Sequence, residues 1–204
     1  DGKSMYVITD EWSKEFKSVE DKNSEPMYYE NLPFRFDTRG IIYNKRAHVY
    51  KVNIQTKKST KIVDGDSKNI ISISSFVEGE NSIVLSFDQY NLKGTMLEEK
   101  IGAIEGVKIK EIYSNGSMGN LFYYEDDLHA VGMRKRFDWP TNTSVLKISN
   151  SGKISFKYRT FDRNVIKAEV NEGTLYFLYE DSGKTLLRDG TRKIDLINSE
   201  FTIK

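Results

Sequence analysis

A period runs through this chain and narrows what it can fold into. Turn-bounded runs begin near Lys14, Thr60, Val107 and Lys153, at steps of 46, 47 and 46 residues, with a shorter step of 39 to Arg192. A second set opens at Ser82, Leu128 and Thr174, at steps of 46 and 46. The units also look alike. Residues 49–62 and 145–158 each read as strand, turn, strand. Within the units the apolar residues come in short runs. Examples are Ile70, Ile71 and Ile73; Ile83, Val84, Leu85 and Phe87 after the turn Glu78–Asn81; and Leu175, Phe177 and Tyr179. Short β-branched and aromatic runs bounded by Gly, Asn and Asp read as strands. The best helical candidate, Ser13–Asp21, has only Phe16 and Val19 to cover a face, too few for an amphipathic helix. The chain reads as all-β.

A period of about 40–50 residues carrying four short strands is the signature of a propeller blade. One such sheet is too small to bury both faces alone, and stacking neighbours around an axis buries both. Three whole blades are expected at 66–114, 115–161 and 162–197. A fourth, at 22–64, has a first strand interrupted by Pro33. Met5–Thr9 and Ser13–Val19 are expected as the outer hairpin of a further blade, and Phe201–Lys204 as the start of an inner strand. Inner strands are expected at Asn69–Ser75 and Asn164–Val170. The expected core is Ile71, Ile73, Val84, Leu85, Leu121, Val131, Leu146, Ile166, Ala168, Leu175, Phe177 and Ile194.

Across nearly its whole length this rhythm resembles the bacterial β-propeller superfamily in general. The match is to architecture alone. The tryptophan–aspartate dipeptide of one propeller family does not recur, and the double glycines of another are missing. The aspartate box of sialidases is only echoed at Tyr179–Leu186. The resemblance implies a β-propeller-like domain of about four to five blades over residues 1–204. The alternative is an irregular β-sandwich or jelly roll. The ring either closes within the chain or is a piece of a larger propeller. Closure is favoured, because an open ring exposes two apolar faces. The chain opens at Asp1 without an initiator Met, which fits a processed N-terminus or a fragment boundary.

Composition removes several functions. The 31 basic and 30 acidic residues cancel to +1, so no nucleic-acid partner is expected, since such binders carry a net basic face. There is no cysteine, hence no disulfide, thiolate metal site or cysteine nucleophile. No apolar run reaches the length of a membrane span. Lys outnumbers Arg by 22 to 9. That bias, without cysteine, resembles exported proteins of AT-rich bacteria. An extracellular or cell-envelope lipoprotein setting is the expectation, with the cytoplasm as the alternative.

Residues that carry chemistry are sparse. His48 and His129 are the two histidines. Both fall in expected strands without a paired spacing, so neither is expected to bind metal, and no cofactor is expected. No Gly-x-Ser-x-Gly elbow or phosphate loop is present, and Gly116–Gly119 reads as a connection between blades. Asp37, Asp64, Asp66, Asp88, Asp138 and Asp162 sit where axial carboxylates of a glycosidase would. The reading favoured for each is a turn former that bonds its own backbone. Asp64-Gly65-Asp66 is oxygen-rich but lacks the remaining ligands of a calcium loop.

The most distinctive segments are 133–143 and 32–39. They carry Phe34, Arg35, Phe36 and Arg39, and Arg134, Arg136, Phe137 and Trp139. Phe36 and Phe137 are 101 residues apart, about two periods, so the eight are expected on one recognition surface. Arg and Trp are enriched where proteins grip partners. The expected function is a non-catalytic binding or scaffolding propeller that engages a protein or glycan. The alternative is a carbohydrate-active enzyme built on two carboxylates.

Overall fold

The computed structural model describes residues 3–13, 29–32, 35–36, 40–42, 44–79, 82–105, 108–114, 116–134, 142–158, 161–190 and 192–194. Among them the chain is all-β and propeller-like, with seventeen strands and one four-residue helix. No helix of the described residues is long and apolar enough to cross a membrane. The chain divides into two compact units. One comprises Asp1–Ile73, Phe87–Glu99 and Ile104–Lys110; the other comprises Ser74–Ser86, Lys100–Ala103 and Glu111–Lys204.

The first unit is built on β1 (Ser4–Trp12), the short pair β2 (Arg35–Phe36) and β3 (Gly40–Ile41), β4 (Lys45–Asn53), β5 (Ser59–Val63) and α1 (Gly65–Lys68). Strands β1, β4 and β5 form one three-stranded antiparallel sheet in that order. This corrects the expected place of Met5–Thr9 in the hairpin of another blade. All nine residues of β1 pair with β4, from Ser4↔Asn53 to Trp12↔Lys45. The segment preceding β4 carries Pro33, which cannot donate to a ladder. Among the described residues it supplies only the two-residue pairing of β2 with β3. The uninterrupted β1 takes the open edge of β4 instead. Lys45 and Lys51 lie over the rings of their cross-strand neighbours Trp12 and Tyr6, at 5.6 and 5.2 Å, and such pairs stabilise a sheet. Of the expected Ser13–Val19 strand, residues 14–19 lie outside the described residues, as does the expected strand at 201–204.

Three four-stranded sheets follow, at the expected blades. Their strands are β6 (Ser72–Glu78), β7 (Ile83–Tyr90), β8 (Leu97–Glu105) and β9 (Lys108–Ser114); β10 (Ser117–Tyr124), β11 (Asp127–Met133), β12 (Ser144–Ile148) and β13 (Ile154–Phe156); and β14 (Val165–Asn171), β15 (Thr174–Asp181), β16 (Lys184–Asp189) and β17 (Arg192–Ile194). Each sheet keeps sequence order. Strand β6 begins at Ser72 rather than Asn69, because Asn69 caps α1 in the left-handed region at φ 52°.

The middle sheet shows why the period exists. Leu121, Leu128, Ala130, Leu146 and Ile148 pack on one side with Val84, Ile101, Ala103 and Met118. Phe122, Val131 and Val145 pack on the other with Val165, Ala168, Leu175, Phe177 and Tyr179. Alternate residues therefore serve opposite cores, so this sheet is buried on both faces. Bulges lock the stacking. The register slips between Gly119 and Phe122, and between Val165 and Lys167. Leu121 lies in the first slip and Ala168 just past the second, in register with Phe177, and the N–H of each points out of its own ladder. Leu121 N–H donates to Ser75 Oγ at 2.8 Å, and Ala168 N–H donates to Asn120 Oδ1 at 2.6 Å. The second bulge also turns Ile166 outward. It is 47% exposed, a correction to its expected burial. Ile73 and Ile194 are half-buried; the other expected core residues are buried.

Two stability effects follow. Phe177→Ala should destabilise by about 3–5 kcal/mol in denaturant unfolding, as large core truncations do. Asn120→Ala should cost about 1–3 kcal/mol by orphaning the Ala168 N–H, whereas Asn120→Asp, which keeps the acceptor, should stay within about 1 kcal/mol of the parent.

Candidate functional site

Of the eight residues expected on one surface, three fall among the described residues. Arg35 is exposed in β2, and Phe36 follows it in the backbone of that strand. Arg134 is exposed at the end of β11, and its guanidinium lies 6.0 Å from the ring of Phe156. The Tyr113 hydroxyl donates to the Arg134 carbonyl. Phe34, Arg39, Arg136, Phe137 and Trp139 lie outside the described residues, as do Asp37 and Asp138. Asp88 accepts from the Ser72 hydroxyl. Asp162 accepts from Asn142 at 2.9 Å and sits 3.9 Å from Arg163.

A cleft that sequence reasoning did not single out lies in the second unit. It encloses about 880 Å³ and is lined by Glu78, Gly79, Ser82, Tyr123, Tyr124, Glu125, Asp126, Val170 and Gly173. These come from the turns that join the first and second strands of three successive sheets. The shared period brings the three turns to one end of the stack. Arg134 is at the far end of β11 from the Glu125–Asp126 turn. Tyr123 leans across the first of these turns. A β-carbon on Gly79 would meet its hydroxyl at 2.8 Å, so glycine there makes room for the ring.

The middle turn is strained. Glu125 and Asp126 have φ of 51° and 61°. Two-residue hairpin turns need positive φ at both positions, which Asn-Gly supplies most cheaply. Non-glycine residues there cost of order 1 kcal/mol each. The next turn, Glu172–Gly173, meets the same demand with glycine at its second position. So the cleft keeps two carboxylates at positions where glycine or asparagine would fit the backbone more easily.

Charge in the cleft is partly balanced. Lys157 pairs with Glu125 and lies over the Tyr124 ring at 4.7 Å. The Lys157 hydrogen bond holds the Glu125 carboxyl below its ordinary value. Lys147 does the same for Asp127. Burial and the Glu125 charge push the Tyr124 hydroxyl up, and burial pushes Tyr158 up to about 12. Behind Tyr124 sits His129, fully buried, stacked on Phe122 at 5.6 Å and edge-on to Tyr124 at 5.8 Å. Its Nδ1 donates to the Asp127 carbonyl at 3.0 Å, which leaves Nε2 as a buried acceptor without a hydrogen-bond partner. Burial pushes this imidazole below its ordinary value, against the Asp127 hydrogen bond.

The first unit holds a different polar group. Thr9, Glu11, His48, Tyr50 and Lys61 share one face of the β1-β4-β5 sheet. His48 is fully buried. Its Nδ1 accepts the Gly65 N–H at 3.1 Å and lies 3.3 Å from Asp64 Oδ1. Burial, with the Lys61 charge, pushes the ring below its ordinary value, against Glu11, Asp64 and Asp66. Lys61 Nζ stands 3.3 Å from Glu11 Oε2 and 5.2 Å over the Tyr50 ring. One donor atom each from His48, Asp64 and Asp66 lie within 4.8 Å of one another. The sequence signal is a histidine placed in mid-strand and an Asp-Gly-Asp turn 16 residues later, too loose to pair without the fold.

No family model matches the chain, and no curated protein matches it. Solved structures do. The acylaminoacyl peptidase of Pyrococcus horikoshii superposes with a TM-score of 0.62 at 13% identity, over 91% of this chain and 28% of that one. The structure of an acylaminoacyl peptidase in complex with Z-Gly-Gly-Phe-chloromethyl ketone gives the same values, TM-score 0.62 and 13% identity over 91% and 28%. The β-propeller domain of the trilobed protease from Pyrococcus furiosus aligns with a TM-score of 0.46 at 14% identity, over 70% of this chain and 60% of that one. The chain thus spans little more than a quarter of the peptidase chains it superposes on, and at this identity the likeness is one of fold.

His129 makes the fold acid-sensitive. Its folded value is depressed, so the neutral ring is favoured by folding. The stability this confers is complete above the unfolded value of about 6.5 and declines as pH falls through it toward the folded value. Unfolding free energy should drop between about pH 7 and pH 5, and His129→Phe should remove part of that drop, the rest belonging to the likewise buried and depressed His48. An equal drop in both proteins would show that His129 does not carry it.

Proposed function

We propose that this chain is a non-catalytic binding module that grips a protein or glycan segment in the cleft between the turns of the second unit. The observation that carries this reading is the Glu125–Asp126 turn, where strained backbone holds two exposed carboxylates beside Tyr123 and Tyr124. Strain of this kind persists where side-chain placement matters. Tyrosine faces stack on sugars and on peptide side chains, and carboxylates accept from hydroxyls or ammonium groups. Glu125 does not suit the acid role of a glycosidase. A glycosidase needs one carboxyl with a raised value beside an ionised one, and Lys157 drives Glu125 the other way. The exposed Arg134, stacked over Phe156, which is 45% exposed, supports a second contact on the loop side of the same blade. An exported or cell-envelope setting is the matching proposal for location, resting on the 22 Lys to 9 Arg and the absence of cysteine.

The test is a screen of soluble oligosaccharides and Lys- or Arg-bearing peptides, read by amide chemical shifts. A ligand should shift residues 78–82, 123–126 and 170–173 together. Tyr123→Ala should weaken it by a hot-spot amount, about 2 kcal/mol. Glu125→Asn with Asp126→Gly should weaken binding while raising stability by about 1 kcal/mol, the usual trade between strain and function. Shifts confined to other regions, or turnover of a bound glycan, would overturn the reading.

A further inference from the structure

The polar group in the first unit lies outside the proposed binding role, and its hydrogen bonds settle which nitrogen of His48 carries the proton. The ring is fully buried. Its Nδ1 accepts the Gly65 N–H at 3.1 Å, so in the neutral ring the hydrogen sits on Nε2. That Nε2 lies 3.8 Å from Glu11 Oε2, beyond hydrogen-bond reach, and has no partner. Beside the other nitrogen, Asp64 Oδ1 lies 3.3 Å from Nδ1. This oxygen is shielded from water without a hydrogen-bond partner, and Asp64 makes no side-chain cap to α1 although it holds the N-cap position. Two acceptors this close repel. The neutral ring therefore keeps one good bond and strands a carboxylate oxygen next to it. An unpaired buried polar atom in a native structure needs an explanation, and a chemical role is one.

One added proton reverses these contacts. On Nδ1 it closes a charge-assisted bond to Asp64 Oδ1, and it leaves the Gly65 N–H a donor facing a donor. We propose that His48 is a proton-operated switch, in which Nδ1 on acidification exchanges the Gly65 N–H for the Asp64 carboxylate and lets go of the turn that opens α1. The proton comes from solvent, and the ring becomes a cation.

The groups around the ring set where it switches. Glu11 faces it from β1, Lys61 from β5, and Asp64 and Asp66 from the turn, with Tyr50 beside it on β4 at 6.4 Å between ring centroids. Glu11 is already engaged by the Thr9 hydroxyl at 3.0 Å and by Lys61 Nζ at 3.3 Å. Three carboxylates against one ammonium favour the cation. Burial, joined by the Lys61 charge, outweighs them and holds the ring below its ordinary value, so the switch turns below about pH 6.5. The turn has to respond because it is tightly packed. A β-carbon on Gly65 would meet the Ala47 carbonyl oxygen at 2.0 Å, so the Gly65 N–H sits against β4, where a donor without an acceptor is rarely tolerated. The Ile70 N–H still donates to the Gly65 carbonyl, and the Ala47 N–H to the Ile70 carbonyl, each at 3.0 Å. Neither bond involves the imidazole, so the rearrangement stays in the turn.

The isotope-labelled chain should be followed by NMR from about pH 8 to about pH 5. At the alkaline end the His48 nitrogens should read as a bare Nδ1 and a protonated Nε2. On acidification the Gly65 amide proton should move upfield and exchange with solvent about tenfold faster or more. Both changes should share the midpoint of the His48 ring, while the amides of β4 stay folded. Asp64→Asn, on a half-buried turn, removes the charged acceptor and should lower both midpoints, and Lys61→Gln should raise them. A proton on Nδ1 at the alkaline end would overturn the proposal. So would a Gly65 amide that stays fixed while His48 titrates, midpoints unmoved by Asp64→Asn, or global unfolding before either signal changes.

Discussion

Double burial is the constraint on which the second unit depends. A four-stranded sheet with apolar residues on both faces has to be covered twice. In the middle sheet Ala130 faces one core and its neighbour Val131 the other. Burial of apolar surface from water stabilises by about 25 cal/mol per Å², and an isolated sheet of this size would forgo it on one side. Stacking like units removes the deficit. The 46-residue rhythm is the imprint of that need on the sequence.

Apolar stacking is not directional, and hydrogen bonds between sheets add direction. On the first strand of each of these sheets one N–H, that of Leu121 or Ala168, points out of its ladder. A side chain one period upstream, Ser75 or Asn120, accepts it. A buried N–H left without a partner would be costly, so each sheet sets the orientation of the next. Asn120 is suited to this task, because it tolerates the left-handed backbone at φ 47° while offering a carbonyl oxygen. The same periodicity gathers the first turns of successive sheets at one end. There the cleft arises from the stacking itself, with no loop added to build it.

The two histidines illustrate how the same residue type is used in opposite ways. His129 donates from Nδ1 to the Asp127 carbonyl and sits among aromatic rings, where it packs as a neutral plate. His48 accepts at Nδ1 from the Gly65 N–H and faces carboxylates. Each is buried and neutral, but only His48 is ringed by carboxylate oxygens.

The sequence by itself determined the all-β class, the bounds of the last three blades and most of the core, because strand periodicity and turn chemistry are local properties. Strand β11 (Asp127–Met133) and strand β15 (Thr174–Asp181) both open one period apart from their counterparts, where the turn residues place them. The sequence also marked Asp64-Gly65-Asp66 and both histidines without joining them. Tertiary structure alone decided the rest. Which strand covers β4 depended on competition between β1 and a proline-bearing segment. Whether Ile166 is buried depended on a register slip in β14. That Glu125 and Asp126 share a cleft with Gly79 and Gly173 depended on three turns meeting across blades. Each of these is a contact between residues far apart in the chain, and the free energy that selects it exists only once the sheets have stacked.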